Sequence, residues 1–579
     1  MPIDTTPFTI IQSAAAPNFS QDGKTLFHLR GSGLQQVWAL DLETGQARTL
    51  TSHDEKVALL RRAPDDDRLI YGIDAGGDER QQLWLWDGES RPLTEAPDVI
   101  HGFGAWHKDG ARFSLSANDR DPAHYDILVQ SLAGERTRLH EGRHEMTVGP
   151  WHKDGSRLIA IEERSTGDQR PLLLGLDGKV QTVPRTGLVR FTALRWDGDG
   201  LIGLTDAHGS DFIALCRIDP ATGAATPVYA SHERDVEAWS LAPAGGLLAT
   251  IENDRGYGVL RVGPMEGERP VVAGFEQGVA ADLSWSADGT RLAFAWSAPE
   301  RPSGLYIWQD GAVQTAWEAP LDVPTCPFEL VQWTSFDEEV VQGWLAMPEG
   351  GTSDIPAVVW VHGGPASQAR ANFRADMQAL LAQGYAVLMP NVRGSTGYGR
   401  ATMERDDREL RLDSVHDLAA GRQFLAAQPG IDPERIAVMG QSYGGYMVNA
   451  AITEYPELWK AAVNFYGIAD FVTLLEATGP WRRAHRSDEY GDPVRHRALF
   501  DRISPIHHID RVRVPVLLLH GRRDPRVPFG ESEQVDEALR LRQHTVAFET
   551  FDYAGHGFVR PDDKRRVYRA VAEWLDAHL

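Results

Sequence analysis

Cysteine is almost absent from this chain of 579 residues, which contains only Cys216 and Cys326. The two lie far apart and lack the spacing of metal ligands, which argues against a disulfide framework or a zinc site. Basic residues are also in deficit, because 58 Lys and Arg stand against 82 Asp and Glu, a net charge of −24. A chain this acidic lacks the basic surface of a nucleic-acid binder and is repelled by anionic membranes.

Long apolar runs are missing as well. No run approaches the roughly 18 residues that a membrane-spanning helix requires. Residues 1–7 contain neither the basic region nor the apolar segment of a secretory signal. Together with the two unpaired thiols, these absences predict a cytoplasmic protein. What the chain does contain, 42% apolar and 24% charged residues, is typical of globular proteins and excludes a disordered or fibrous chain.

The first half of the sequence repeats. A polar turn followed by a short apolar strand recurs at residues 23, 67, 110, 155, 199, 245 and 289, so successive copies are 43 to 46 residues apart. Asp-Gly pairs mark hairpin turns in many β proteins, but seven copies at this even spacing indicate a structural repeat. A period of about 40–45 residues with several short strands per unit is typical of a β-propeller. We therefore predict an N-terminal seven-bladed β-propeller over residues 1–322.

The second half alternates apolar strands with helical patterns. Buried strands are predicted at 356–361, 385–389, 435–439, 514–519 and 546–551, and helices between them include 371–383 and 415–427. This pattern predicts an open α/β sheet over residues 323–579. Since ligands of such folds bind at the carboxyl ends of the strands, functional residues are expected directly after each strand.

A candidate nucleophile follows the strand at 435–439. The sequence Gly-Gln-Ser-Tyr-Gly at 440–444 fits the G-x-S-x-G pattern, in which a tight strand-to-helix turn holds the serine hydroxyl clear of the sheet. The pattern alone is weak, because a glycine-rich turn with a capping serine also fits it. The buried strand before it and the small-residue helix start after it favour Ser442 as the nucleophile of an α/β-hydrolase domain.

A serine nucleophile needs a base, and the base needs an acid that orients it. In the α/β-hydrolase order these follow as Asp and then His. Asp524 lies on the loop after the strand at 514–519, and His556 lies between two glycines after the strand at 546–551. Other Asp and His residues precede these strands or break the order, so we predict Ser442, Asp524 and His556 as the triad.

The same chemistry needs N–H donors for the developing oxyanion. One is expected to be the backbone N–H of Tyr443, directly after the nucleophile. The other is expected from the His-Gly-Gly-Pro sequence at 362–365, which follows an earlier strand and contains Gly363 and Gly364. Glycines there allow the backbone to approach the substrate closely.

These motifs, with Asn-Val-Arg-Gly-Ser-Thr-Gly-Tyr-Gly at 391–399, resemble the prolyl oligopeptidase family of serine peptidases, most closely its acylaminoacyl-peptidase branch. The resemblance covers nearly the whole chain. It implies Ser442 as nucleophile, His556 as general base and Asp524 as its orienter, under a propeller that admits only short peptides. The acidic motif with which dipeptidyl peptidases of this family bind a free amino terminus is not recognisable, which argues against that activity.

A basic segment, Trp-Arg-Arg-Ala-His-Arg at 481–486, lies in a predicted long loop between the elbow and Asp524. Arginine binds carboxylates with two parallel hydrogen bonds. We predict that Arg482, Arg483 or Arg486 holds the free C-terminus of a peptide substrate, which would make the enzyme a carboxypeptidase. A solvated charged loop is the alternative interpretation.

The sequence therefore predicts a serine peptidase that hydrolyses short peptides through an acyl-enzyme. An acylaminoacyl peptidase, an esterase of small esters and a non-enzymatic scaffold are the alternatives, the last opposed by the complete triad. No metal or organic cofactor is implied. No nucleic-acid or membrane partner is expected, and the sequence leaves a homo-oligomer open.

Overall fold

Six sheets follow one another along the first half of the chain, in a computed structural model that describes residues 4–243, 245–351 and 353–579. Five of them have four antiparallel strands each, and the last has seven strands, of which the third and fourth are joined by a single parallel pairing. A short helix, α1 (Thr6–Thr9), precedes them. The strands, blade by blade, are β1 Ser13–Phe19, β2 Thr25–Gly31, β3 Gln36–Asp41 and β4 Ala47–Thr49; β5 Val57–Arg62, β6 Leu69–Ile73, β7 Gln82–Trp86 and β8 Ser90–Pro92; β9 His101–Trp106, β10 Arg112–Asp121, β11 His124–Ser131 and β12 Arg136–His140; β13 Glu145–Trp151, β14 Arg157–Ser165, β15 Asp168–Gly175 and β16 Val180–Thr182; β17 Phe191–Asp197, β18 Gly200–Thr205, β19 Ala214–Ile218 and β20 Ala225–Tyr229; β21 Val236–Leu241, β22 Leu247–Asp254 and β23 Tyr257–Pro264; β24 Val279–Trp285, β25 Arg291–Ala298, β26 Arg301–Gln309 and β27 Ala312–Trp317.

The seven-stranded sheet contains two blades, β21–β23 and β24–β27, so the six sheets form the seven blades of the predicted propeller, and the prediction is confirmed. Each predicted turn directly precedes the second strand of its blade. Gly23, Gly110 and Gly155 occupy three of these turns with φ between +62° and +75°, which glycine adopts without a steric penalty. The even spacing of the turns in the sequence is therefore the spacing of the blades.

Tryptophans join neighbouring blades. Five indole N–H groups each donate a hydrogen bond of 3.0 to 3.4 Å to a carbonyl oxygen 45 or 46 residues earlier: Trp106 to Arg61, Trp151 to Ala105, Trp196 to Pro150, Trp239 to Ala193 and Trp285 to Ser240. The ring closes in the same manner without a tryptophan, because the Ala16 N–H of blade 1 donates to Asp282 of blade 7. A blade cannot bury both faces alone, so these contacts stack the blades into one core.

The second half forms one eight-stranded sheet with helices on both faces. Its strands lie in the order β28, β29, β31, β30, β32, β33, β34, β35, and those from β31 onward pair in parallel. The strands are β28 Glu329–Thr334, β29 Val340–Ala346, β30 Ile355–Val361, β31 Ala386–Asn391, β32 Ile431–Gln441, β33 Ala461–Phe465, β34 Val516–Gly521 and β35 Val546–Phe551. The helices are α2 Ala375–Ala382, α3 Arg400–Met403, α4 Arg411–Ala426, α5 Tyr443–Glu454, α6 Phe471–Ala477, α7 Pro480–Tyr490, α8 Arg497–Ile503, α9 Gly530–Leu541 and α10 Pro561–His578, with 3₁₀ turns at Arg408–Leu410 and Pro505–Arg511.

The hydrolase core lies on both sides of this sheet. One side packs Leu418 of α4 against Val438 of the central strand, and the other packs Met377 and Leu575 of α2 and α10 against Val463. Parallel strands buried on both faces explain the unbroken apolar runs of the sequence.

Some sequence predictions differ from the structure. The helix expected at 371–383 begins at Ala375, because the chain before it makes contacts with the propeller. The basic segment at 481–486 is not a loop, since it lies within α7. The last blade strand ends at Trp317 and the hydrolase sheet begins at Glu329, and the domain boundary between residues 322 and 323 stays a prediction. In the described ranges, no helix combines the length and apolarity needed to cross a bilayer.

Candidate active site

The turn between β32 and α5 places Ser442 at the carboxyl edge of the sheet. Ser442 has a φ of 57° and a ψ of −119°, a conformation that a non-glycine residue rarely adopts. Its N–H donates to the carbonyl of Phe465 at 2.9 Å. The turn needs its glycines, because a Cβ on Gly444 would overlap the Val361 carbonyl oxygen and one on Gly440 would overlap Gly444 itself. The side chain of Ser442 is therefore held in one orientation by the backbone.

The structure brings the three predicted triad residues together. His556 Nε2 lies 2.9 Å from Ser442 Oγ, and His556 Nδ1 lies 2.7 Å from Asp524 Oδ2. Ser442 and His556 are 114 positions apart in the chain, and Asp524 and His556 are 32 positions apart. They meet because each follows the carboxyl end of a strand of the same sheet.

Asp524 is held as a carboxylate. Its Oδ1 accepts the backbone N–H groups of Arg526 at 2.8 Å and Val527 at 3.0 Å. Burial alone would raise the pKa of Asp524, but the charge and hydrogen bonds of His556 and His520 lower it well below its usual value. An ionised carboxylate at this position requires Nδ1 of His556 to carry a proton, which leaves Nε2 to accept the proton of Ser442.

The predicted oxyanion donors lie beside Ser442. A Cβ on Gly363 would be 3.3 Å from the Ser442 Cβ, so the glycine backbone passes directly over the nucleophile. Gly364 and Tyr443 line the same cavity as Ser442. The ring of Tyr466 packs against His556 with 4.7 Å between the ring centroids and limits the space around the imidazole.

A buried ion pair that the sequence pattern did not predict holds the Tyr443 side chain in place through its hydroxyl group. The Tyr443 hydroxyl donates to Asp406 at 2.9 Å and accepts from Arg411 at 3.0 Å. Arg411 also forms an ion pair with Asp406 and donates to the carbonyl of Glu489 on α7. This group connects α4, the elbow helix α5 and α7.

A cavity of about 450 Å³, counted with its mouth, opens beside Ser442. Arg482 and Arg486, two of the three predicted substrate-binding arginines, line it, together with Arg526 from the Asp524 loop. The third, Arg483, does not reach the cavity: it is exposed and donates to the carbonyl of Glu476. Nothing in the sequence pattern pointed to Arg526, which follows Asp524 by two positions.

The propeller brings carboxylates to the same place. Glu79, on a loop of blade 2, forms ion pairs with Arg526 and, at 3.7 Å, with Arg482. Burial raises the pKa of Glu145 in blade 4. Burial and the neighbouring charge of Glu145 raise the pKa of Glu163 to about 7. No local motif marked these acidic residues, because they lie on different blades.

The same propeller loop contacts the loop that contains His556. The Gly555 N–H donates to the Gly76 carbonyl at 2.7 Å, and the His556 N–H points to the Gly77 carbonyl at 3.4 Å. The site thus lies in the space between the two domains. A serine hydroxyl, an imidazole and a carboxylate in line, with backbone donors beside them, define the class of serine hydrolases with an α/β-hydrolase domain under a propeller.

Comparison with known proteins gives the family. Residues 371–579 match the prolyl oligopeptidase family. The chain is 28% identical to dipeptidyl aminopeptidase BIII of Pseudoxanthomonas mexicana over 96% of this chain and 85% of that protein. It is 28% identical to the acylamino-acid-releasing enzyme of Mus musculus over 43% of this chain and 35% of that enzyme. A Mycobacterium tuberculosis puromycin-hydrolyzing peptidase has the same fold, with a TM-score of 0.86 at 21% identity, and the alignment covers 100% of this chain and 95% of that one.

The predicted resemblance to the prolyl oligopeptidase family is confirmed over residues 371–579, and the chain is a serine peptidase. The two named relatives release different parts of a peptide, so their names do not fix the specificity of this chain.

Proposed function

We propose that Ser442, His556 and Asp524 are the catalytic triad with which this peptidase cleaves short peptides. The observation that carries the proposal is the continuous hydrogen-bonded line from Ser442 Oγ through both nitrogens of His556 to Asp524. Each member has the environment its role needs: a strained elbow for the nucleophile, a glycine-flanked position for the base and a buried carboxylate for the orienter.

Catalysis proceeds in two steps. His556 Nε2 takes the proton of Ser442 as Oγ attacks the carbonyl carbon of the scissile bond. The N–H of Tyr443 and those of the Gly363–Gly364 loop stabilise the oxyanion, each contributing about 2.7–4 kcal/mol to transition-state binding. The C–N bond then breaks and His556 gives the proton to the leaving amine. Water, deprotonated by His556, hydrolyses the ester and frees Ser442.

The arginines of the cavity support recognition of a substrate carboxylate. Arg482 and Arg486 lie on one turn of α7 beside Ser442, where their guanidinium groups can bind a carboxylate with parallel hydrogen bonds. In the carboxypeptidase form of this proposal, the carboxylate is the free C-terminus. Amidation of the peptide C-terminus would then abolish cleavage, whereas equal rates for the acid and the amide would exclude this form.

Release from the amino end is a second candidate, and it is favoured by Glu79 and Glu145. Both carboxylates face the cavity arginines from the propeller side, where a protonated peptide amine could replace part of their ion pairing. N-acetylation removes that amine, so acetylated peptides would be poor substrates. Preference for acetylated peptides would instead favour the acylaminoacyl-peptidase alternative, and preference for small esters an esterase.

The triad is tested by Ser442→Ala. We expect peptide hydrolysis to fall by at least ~10⁴-fold, because no other group can form the acyl-enzyme. The variant should also lose labelling by a fluorophosphonate probe. Circular dichroism should be unchanged, since the φ of 57° is available to alanine in a backbone held by its neighbours. Retained peptide hydrolysis or labelling in this variant would refute the assignment.

A further inference from the structure

The cavity beside Ser442 is lined by several positively charged side chains. Arg482, Arg486 and Arg526 line it, and none of its lining residues in the described ranges is acidic. Burial, together with the charges of Arg486 and Arg526, lowers the pKa of Arg482 to about 10. Burial is the largest cause of this shift, and an anionic ligand in the cavity would compensate the buried positive charge of Arg482.

The guanidinium groups of Arg482 and Arg486 have more N–H donors than their contacts with the described residues use. Three carboxylates approach them from outside the cavity: Glu489 accepts from Arg486 at 2.8 Å, Glu79 pairs with Arg482 at 3.7 Å, and the charge of Glu145 also acts on Arg482. Within the described residues, the Arg482 side chain makes no hydrogen bond. Since each guanidinium has five N–H donors, both can bind a further carboxylate inside the cavity.

The position of the cavity relative to the triad decides which part of the substrate enters it. The leaving amine must lie next to His556, which gives it a proton. His556 does not line the cavity. The carbonyl of the acyl residue must lie against the oxyanion donors, and Tyr443 and Gly364 both line the cavity. The cavity therefore opens on the acyl side of the scissile bond.

On that side the substrate carries a side chain and no free C-terminus, because the C-terminal residue of a carboxypeptidase substrate is the leaving group. Beside Thr478 and Tyr490, the remaining walls include the apolar side chains of Ile468, Leu474 and Val527, which suit the methylene groups of an acidic side chain. We infer that this cavity binds the side-chain carboxylate of the acyl residue through Arg482 and Arg486, so that the enzyme cleaves after Glu or Asp. This inference rests on the proposed role of Ser442.

The test uses eight-residue peptides of Ala, Gly and Ser with one Glu at position 2 or 5, and matched peptides with Gln in its place. Each is made with a free or acetylated amino end and with a free or amidated carboxyl end, and the products are identified by mass spectrometry. We expect cleavage after Glu, a kcat/KM at least ~30-fold higher for Glu than for Gln, and no effect of C-terminal amidation.

The same Glu-to-Gln ratio is then measured in two cavity variants, Arg482→Gln and Arg486→Gln, and in Arg483→Gln as the matched control on the same helix. Both cavity variants should reduce the ratio at least ~10-fold, because the carboxylate loses a charged partner. The control should keep the wild-type ratio. If circular dichroism shows that one cavity variant is misfolded, the inference is judged from the Glu-to-Gln ratios of the wild type and of the other variant.

Three results would overturn the inference. Equal rates for Glu and Gln peptides would leave the triad intact and remove the acidic specificity. Release of the C-terminal residue from unamidated peptides alone would assign the arginines to the C-terminus. Absence of fluorophosphonate labelling at Ser442 in the wild type would refute the proposed function itself, and the inference with it.

Discussion

At the scale of single residues, the site depends on how Asp524 is held. Its carboxylate is buried, receives two backbone N–H groups on one oxygen and contacts His556 at 2.7 Å with the other. A buried carboxylate with these partners fixes both the tautomer and the orientation of the imidazole. In the proposed mechanism Asp524 is a positioning residue, because it acts on the substrate only through His556.

Asp524→Asn should therefore lower kcat by at least ~10³-fold with little change in fold, because an amide can donate to Nδ1 and stabilise the wrong tautomer. The measurements are kcat for a cleaved peptide and the rate of fluorophosphonate labelling. Asp552→Asn is the matched control: Asp552 lies near His556 in the chain, but its side chain is exposed and pairs with Arg522. Equal losses in both variants would contradict the assignment.

The residues that could be predicted from the sequence are those tied to a strand end. Ser442, Asp524 and His556 each follow an apolar run, and the common edge of a parallel sheet converts that local pattern into proximity. Arg526 and Glu79 carry no such pattern. They meet only because a blade 2 loop lies over the Asp524 loop, 447 residues away in the chain.

At the scale of elements, α7 shows why a helix can be predicted as a loop from the sequence. Its sequence has no continuous apolar stripe, since only Trp481, Glu489 and Tyr490 are buried. Trp481 packs into the hydrophobic cluster of blades 3 and 4, while Arg482 and Arg486 line the cavity. The segment is polar overall, so it lacks the apolar residues by which a core helix is predicted from a sequence.

Two strands of blade 4 place like charges face to face. Glu145 of β13 pairs in register with Glu163 of β14, and direct cross-strand pairing of two acids is destabilising. Thr147 donates to Glu163 at 3.3 Å and compensates only part of this cost. A propeller under selection for stability alone would not retain this pair, which is consistent with a role at the domain interface.

The pair predicts a pH dependence of stability. The pKa of Glu163 is raised from the ordinary 4.5 to about 7 by burial and by Glu145, so the folded chain binds its proton more tightly than the unfolded chain. The free energy of unfolding therefore falls as the pH rises from about 4.5 to about 7 and stays lower above that range.

Glu163→Gln removes this titration and keeps an oxygen for Thr147. Urea unfolding should show the variant to be more stable than the wild type by about 2 kcal/mol at pH 8, with the difference disappearing near pH 4.5. Glu135→Gln, an exposed change in blade 3, is the control and should have no effect at either pH. A variant less stable than the wild type at pH 8 would contradict the argument.

At the scale of the whole molecule, the contact between the domains has positive side chains on the hydrolase domain and negative side chains on the propeller. In the described ranges, every ion pair across it joins an arginine of the hydrolase domain to an acid of the propeller: Arg370 to Glu237, Arg400 to Asp206, Arg482 and Arg526 to Glu79, and Arg560 to Glu55. The closed arrangement is thus stabilised by complementary charge on the two domains. Because the propeller loop contacts the His556 loop, separation of the domains also frees the entrance to the site.

Arg400 tests whether this closure excludes long substrates. Its guanidinium contacts the buried Asp206 and donates to the Gly167 carbonyl at 3.0 Å. Arg400→Ala removes these contacts between the two domains. A loss of ~1 kcal/mol from that form would raise the open population about fivefold.

We therefore expect Arg400→Ala to increase the rate on an unfolded protein of ~50 residues relative to the rate on a short peptide, by a similar factor. Mass spectrometry of both digests gives this ratio directly. Arg497→Ala is the control, because Arg497 pairs with Asp501 on the surface of the hydrolase domain alone. If the ratio in Arg400→Ala stays at the wild-type value, the arginine–acid contacts do not limit access, and size selection must arise within the cavity beside Ser442.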